Sequence, residues 1–341
     1  MQEFIEHIIQ NGELILKINL IFTLLFFLTT LFFISSILYL RYHKILKEKK
    51  VKKLNEKLSN FINIYLFDES LSPKDIKNFQ SQNLKNTFEQ KIAIKALLVF
   101  EENLKGSTNT MIRDLFFTWE LDKLTERDLK SGVWYKVARA IYVSSELRLI
   151  DFKELVKSHL NTEREEVRQQ AILYFITISE EQPLEFLDLI KTPITLWEQI
   201  YIEECLKTKY SGPIPDFSNL LHHNLTSVQL FSMKMISEYN QFENIEKMVP
   251  FLLSEKEELK NAAIEYLAHL EYSELLDYCK ETFNSQTPNT KKVIIKILQR
   301  IGNTDDFLKF ESRIPAHDWM NLQVFNNLKS NYIEESNSVT L

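Results

Sequence analysis

The sequence predicts an all-α protein: a single N-terminal transmembrane helix followed by αα-hairpins stacked into a right-handed solenoid. Three observations predict it. An apolar stripe recurs at a near-constant spacing through the second half of the chain. Residues 19–40 form an unbroken run without a charge. The 341 residues include only five glycines and eight prolines, too few for a sheet-rich fold with many tight turns.

The elements follow in order. Residues 1–18 form a short acidic segment read as extracytoplasmic. Residues 19–40 rise about 33 Å as a helix, enough for a ~30 Å hydrocarbon core. A cleaved signal peptide is the competing reading. It fits less well, because the apolar run is long, the residues before it are acidic, and no small-x-small site follows. Residues 41–67 continue as a basic juxtamembrane helix. Arg41, Lys44, Lys47, Lys49, Lys50, Lys52, Lys53 and Lys57 face only Glu48 and Glu56. Basic residues beside a span stay in the cytoplasm, so the C-terminal body is expected inside a cytoplasmic membrane, with the N-terminus outside. The basic run is read first as a determinant of topology and second as a site for anionic lipid.

Residues 68–330 carry the repeats. Ala140, Ala171, Ile202, Ser232, Ala263 and Ile294 serve as anchors, and neighbouring anchors stand about 31 positions apart. Apolar residues recur at offsets 0, +1, +4 and +7, which share one helix face. An upstream copy starts at Ala93, with an insertion between Leu104 and Lys130, and a weaker copy starts at Asn321. A fixed period with one buried stripe per unit is the signature of a stacked array. Short helices precede the striped ones, three of them opening on Asp-Phe at Asp151, Asp216 and Asp306. Residues 331–341 read as a flexible tail.

The turn and helix start at Asn161-Thr162-Glu163-Arg164-Glu165-Glu166-Val167-Arg168-Gln169-Gln170-Ala171 resemble a HEAT-like repeat, with Val-Arg-x-x-Ala opening the second helix. Weaker echoes stand at Leu259–Ala263 and Ser227–Ser232. The unit is shorter than the ~40–47 residues of standard HEAT repeats and is similar to the short repeats named after phycobilisome lyases. The resemblance covers roughly residues 85–330. It implies that Arg168 ties one turn to the next repeat and that the second helices line a concave face.

No catalytic motif stands out. Phosphate-cradling glycine loops, a nucleophile elbow and a zinc-binding His-Glu-x-x-His helix are all absent from the sequence. Adjacent His222 and His223 point about 100° apart on a helix and make a poor chelate. Cys205 and Cys279 read as reduced, buried thiols. No cofactor or metal is expected. The acidic body, −10 over residues 58–341, argues against nucleic acid. Trp134 and Trp197, near the starts of striped helices, are expected to pack between repeats.

The resemblance places the concave row at offsets +2 and +6, including Tyr142, Leu173, Thr177, Glu204, Lys234, Glu238, Glu265, His269, Lys296 and Arg300. Mixed charge there suits a protein partner, although an ordinary solvated face is the alternative. The expected function is a non-enzymatic membrane-anchored scaffold holding a protein partner at the cytoplasmic membrane face, in an envelope-assembly or polysaccharide-export setting. The alternative is a degenerate HEAT-like enzyme or enzyme accessory of lyase type.

Overall fold

A computed structural model describes the backbone of residues 2–68, 71–104, 107–302 and 304–338, with side chains over these stretches apart from 2–15, 17, 107, 304–306 and 331–338. Among the described residues there are helices and turns but no strand. The chain divides into two compact units, Met1–Arg127 and Asp128–Leu341. The boundary places the stripe around Ala93 with the apolar N-terminal helix, whereas the sequence groups residues 68–330 together.

In the first unit, α1 (Gln2–Phe67) is one unbroken helix. No proline or glycine occurs after Gly12 to interrupt it. It is long and apolar enough to cross a membrane, and none of its apolar window is buried in the protein. The core helix of a soluble protein would be covered there. Its threonines are satisfied internally: the hydroxyls of Thr23, Thr29 and Thr30 donate to the carbonyls of Asn19, Leu25 and Phe26 at 2.7–2.8 Å. That self-sufficiency suits a lipid environment, which offers no partners.

Further along, α1 changes character. Leu58, Phe61, Ile62 and Leu66 are buried as the helix packs on α3 (Thr87–Asn103) and α4 (Ser107–Thr118). Between them, α2 (Pro73–Asn83) opens with a capping box of Ser72 and Asp75, whose hydrogen bonds from Ser72 hold the Asp75 carboxyl below its usual range. Asn86 and Glu89 form the same device at the start of α3. Ala93, Ile94 and Leu97 are buried, as their stripe requires. The stretch read as an insertion forms α4 and α5 (Leu121–Leu129).

The second unit holds α6 (Trp134–Glu146), α7 (Lys153–Lys157), α8 (Glu165–Ile178), α9 (Leu196–Thr208) and α10 (Thr226–Glu238). It continues with α11 (Ile245–Met248), α12 (Glu257–His269), α13 (Leu275–Thr282), α14 (Pro288–Ile301), α15 (Thr304–Lys309) and α16 (Trp319–Ser338). Every anchor from Ala140 to Ile294, and Asn321 after them, is buried. Most successive striped helices pack together: α6 on α8, α8 on α9, α10 on α12, α12 on α14, and α14 on α16; α9 and α10 are not among these closely packed pairs.

The elements between them are shorter than the sequence suggests. Two are reduced to 3₁₀ turns, Glu185–Leu189 and Phe217–His222. Pro183 precedes the first, and Gly212, Pro213 and Pro215 crowd the approach to the second. The Asp-Phe capping idea holds at Asp216, whose carboxylate accepts from the Ser218 amide at 2.9 Å. Asp151 lies inside its 3₁₀ turn instead of capping it. The Asp306 side chain is outside the described residues. The helix α16 reaches Ser338, into the segment read as a tail; residues 339–341 lie outside the described ones.

Three of the striped helices, α6, α10 and α12, end in the same way. Arg148, Asn240 and Glu271 adopt positive φ (49°, 52° and 56°), each at the same offset past its anchor. The next amide in each case closes a wider loop: Leu149 to the Ser144 carbonyl at 2.8 Å, Gln241 to Ile236 at 2.9 Å, and Tyr272 to Leu267 at 3.0 Å. These are Schellman caps built without glycine. A side chain at positive φ is strained, and for glutamate or arginine more so than for asparagine. Glu271→Gly and Arg148→Gly should therefore each stabilise the protein by about 0.5–1 kcal/mol, seen as a raised thermal midpoint. Glu271→Ala should give no such gain.

Candidate partner-binding surface

The predicted row divides when placed on the structure. Tyr142, Glu204, Glu238, Glu265, His269, Lys296 and Arg300 are exposed. Leu173 and Thr177 are not: both are buried, and every residue from Ala171 to Thr177 is buried with them. The cause is the position of α8 between α6 and α9, which leaves it no free face there. The Thr177 hydroxyl turns back to donate to the Leu173 carbonyl at 2.8 Å. These two residues are therefore structural and drop out of the partner-binding set.

Lys234 also needs correction. Its ammonium lies 2.8 Å from Glu203, joining α10 to α9, while Lys207 holds the same carboxylate. Burial opposes ionisation of Glu203, but the bonds from Lys207 and Lys234 outweigh it and keep the carboxyl below its usual range. Similar links recur along the row. Lys209 meets Glu146 at 3.0 Å, and Arg300 Nη2 lies 3.0 Å from His269 Nδ1. Lys234 and Arg300 thus each join their helix to the preceding striped one.

A second line of contacts runs along the helix starts. Arg164 stacks over the Trp134 ring at 4.5 Å, bringing the starts of α6 and α8 together. Arg168 reaches from α8 to the start of α9: its Nη1 donates to the Thr192 hydroxyl at 2.5 Å and its Nε lies 2.8 Å from the Glu198 carboxylate. The Ile194 amide donates to Ser227 at 3.0 Å, Lys256 to Thr226 at 2.9 Å, and the Thr287 hydroxyl to Glu257 at 2.6 Å. Asn321 Nδ2 donates to the Pro288 carbonyl at 3.3 Å. The starts of α6, α8, α9, α10, α12, α14 and α16 therefore share one edge.

That edge displays large apolar side chains. Trp134 is 43% exposed, Trp197 73% and Trp319 67%. Tyr135, Leu196, Ile200 and Met320 are exposed beside them. The expectation of packing between repeats fails for Trp197 and holds in part for Trp134, which Arg164 covers; both occupy the first turn of their helices, ahead of the stripe that neighbouring helices cover. Position alone did not separate display from packing.

The remaining candidates stand as follows. Cys205 and Cys279 are buried free thiols, and burial pushes them up to about 11 and about 12 respectively, which makes them poor nucleophiles. His222 is exposed, while His223 Nδ1 accepts from the Leu225 amide at 3.0 Å.

No family model matches this chain, and no curated protein matches it. Among solved structures it is similar to a chain described as "Crystal Structure of Engineered Protein", at 14% identity over 75% of this chain and 97% of that one, with a TM-score of 0.23. That likeness is too remote to bear on fold or function.

Proposed function

We propose that the chain is a single-pass, membrane-anchored, non-enzymatic scaffold whose C-terminal unit is a HEAT-like solenoid that binds a protein. The observation that carries the reading is the helix-start edge, with Trp134, Trp197 and Trp319 displayed at 43%, 73% and 67% exposure. Exposed tryptophan, tyrosine and methionine are the side chains enriched where proteins dock. The packing of consecutive striped helices supports the solenoid, and the apolar, uncovered α1 supports the anchor. The basic run after Leu40 supports a cytoplasmic C-terminal unit. Tethering raises the partner's effective concentration at the membrane without adding contacts.

The test uses the full chain in intact membranes. A photo-reactive residue at position 197 should give one discrete protein adduct, which Trp134→Ala weakens. A residue at position 296, on the row, should give less of it. A reporter fused after Leu341 should be active only in the cytoplasm. Adducts restricted to position 296 would move the interface to the row, and activity from an exported reporter would reverse the topology.

A further inference from the structure

Between α1 and the turn joining α2 to α3 lies a cleft of about 670 Å³, wholly within the first unit. We propose that it holds the headgroup of an anionic membrane lipid, one carrying more than one phosphate. The proposal rests on α1 spanning a membrane, as read above.

The face that lines the cleft carries the argument. His43, Lys47, Lys50, Leu54, Lys57 and Phe61 follow one another at steps of three and four, so they lie along one side of α1. At its far end this side is ordinary core: Leu58, Phe61 and Ile62 are buried. Toward the membrane the same side borders the cleft opposite the α2–α3 turn, and it presents exposed lysines there instead of leucine. Lys53 joins Lys47, Lys50 and Lys57 in the lining. A helix side that faces its own domain is normally apolar. Four ammonium groups there repel one another unless an anion sits among them.

The protein supplies little to neutralise them. Glu89 is the one carboxylate of the lining, and its Oε2 already accepts from the amides of Lys85 and Asn86 at 2.8 and 3.3 Å. Lys57 donates to the Asn83 side chain at 3.1 Å, and Lys47 lies 5.2 Å from the centre of the Phe88 ring. Both partners are neutral. Leu46, Leu54 and Phe88 give the cleft an apolar wall. A polyanion with an attached apolar portion matches that lining better than a small free anion does.

Position points to a lipid source. His43 lies just beyond Leu40, about 4.5 Å along the helix, and Lys57 about 25 Å. The headgroup layer extends roughly 5–8 Å beyond the hydrocarbon. The mouth at His43 therefore opens at headgroup level, and the lysines lead away from it. Lys47 and Lys50, about 10 and 15 Å beyond Leu40, can extend their long side chains back toward that layer, so two phosphates side by side at the mouth engage more of the ammonium groups than one does.

The full chain is reconstituted into phosphatidylcholine nanodiscs containing either cardiolipin, with two phosphates, or phosphatidylglycerol, with one, at equal total charge. Native mass spectrometry then reads the lipid retained. Cardiolipin should be retained preferentially. Lys47→Glu with Lys50→Glu should reduce retention about tenfold or more, and the neutral pair Lys47→Gln with Lys50→Gln should reduce it less. Lys49→Glu with Lys52→Glu, the same charge change outside the cleft lining, should leave it near wild type. Equal loss in both glutamate pairs, or no preference for cardiolipin, would overturn the proposal by showing diffuse attraction to the leaflet. Displacement of the lipid by inorganic pyrophosphate at equal concentration would overturn it in favour of a soluble anion. Resistance of the chain to alkaline extraction is scored separately, so a failure of anchoring is distinguishable from a failure of the cleft.

Discussion

Arg168→Ala should destabilise the second unit by about 3–5 kcal/mol, the loss that follows when one partner of a buried ion pair is removed. Both members are nearly inaccessible, with side-chain exposures of 10% for Arg168 and 3% for Glu198. Glu198 cannot easily turn to solvent, because its Oε2 accepts from the Thr195 amide at 2.7 Å in the capping box that starts α9. Truncating Arg168 therefore leaves a buried carboxylate without its cation and releases the bond to Thr192. The arginine Nε lies 2.8 Å from the carboxylate but without hydrogen-bond alignment, so the attraction is chiefly electrostatic. For a unit of this size the loss corresponds to a fall of roughly 6–20 °C in thermal midpoint. The double variant Arg168→Met with Glu198→Gln should recover most of it, since glutamine can still cap the helix and no charge is left buried. Equal losses in the single and double variants would assign the effect to packing instead of charge.

Arg168 also shows what was legible in the chain. Its Val-Arg-x-x-Ala setting suggested a tie to the next repeat, and it does reach α9. The anchors were equally legible, because a fixed apolar period leaves each of them one place to go: Ala93, Ala171, Ile202, Ser232, Ala263 and Ile294 are each completely buried. Even buried Ser232 is accommodated, its hydroxyl donating to the Phe217 carbonyl at 2.7 Å. What stayed hidden depends on neighbours instead of period. Nothing within residues 165–178 reveals that helices cover α8 on both sides, so Leu173 and Thr177 read as surface. Lys234 reads as free charge until Glu203, on the preceding striped helix, comes within reach. The caps at Arg148 and Glu271 were invisible because their usual marker, glycine, is absent. The lysines of the cleft were read first as a topology signal and second as an anionic-lipid site, but not as one face, since their common face acquires meaning once α2 and α3 fold against it.

Trp119→Ala should cost the first unit about 3–5 kcal/mol, the range for truncating a large buried aromatic. The ring is fully buried, 5.6 Å from Phe79 and 5.8 Å from Phe61. Phe61 and Phe79 are themselves stacked at 4.1 Å, so the three rings join α1, α2 and the end of α4. The Trp119 carbonyl also accepts from Gln80 at 2.9 Å, a contact the substitution leaves in place. Its indole Nε1 has no hydrogen-bond partner among the described residues. Trp119→Phe therefore removes a buried unpaired donor along with some volume and should cost less than Trp119→Ala. The functional weight of this cluster lies in Phe61, because α1 is apolar and long enough to cross a membrane at one end and a core element at the other. Loosening the cluster should free the C-terminal half of α1 from its unit, turning a rigid mount into a tether. Hydrogen exchange over residues 58–66 of the full chain in nanodiscs reads this directly. Trp119→Ala should speed exchange there, with Trp119→Phe intermediate. Protection unchanged in both variants would mean that α3 and α4 hold α1 without the aromatic cluster, and that the mount does not depend on Trp119.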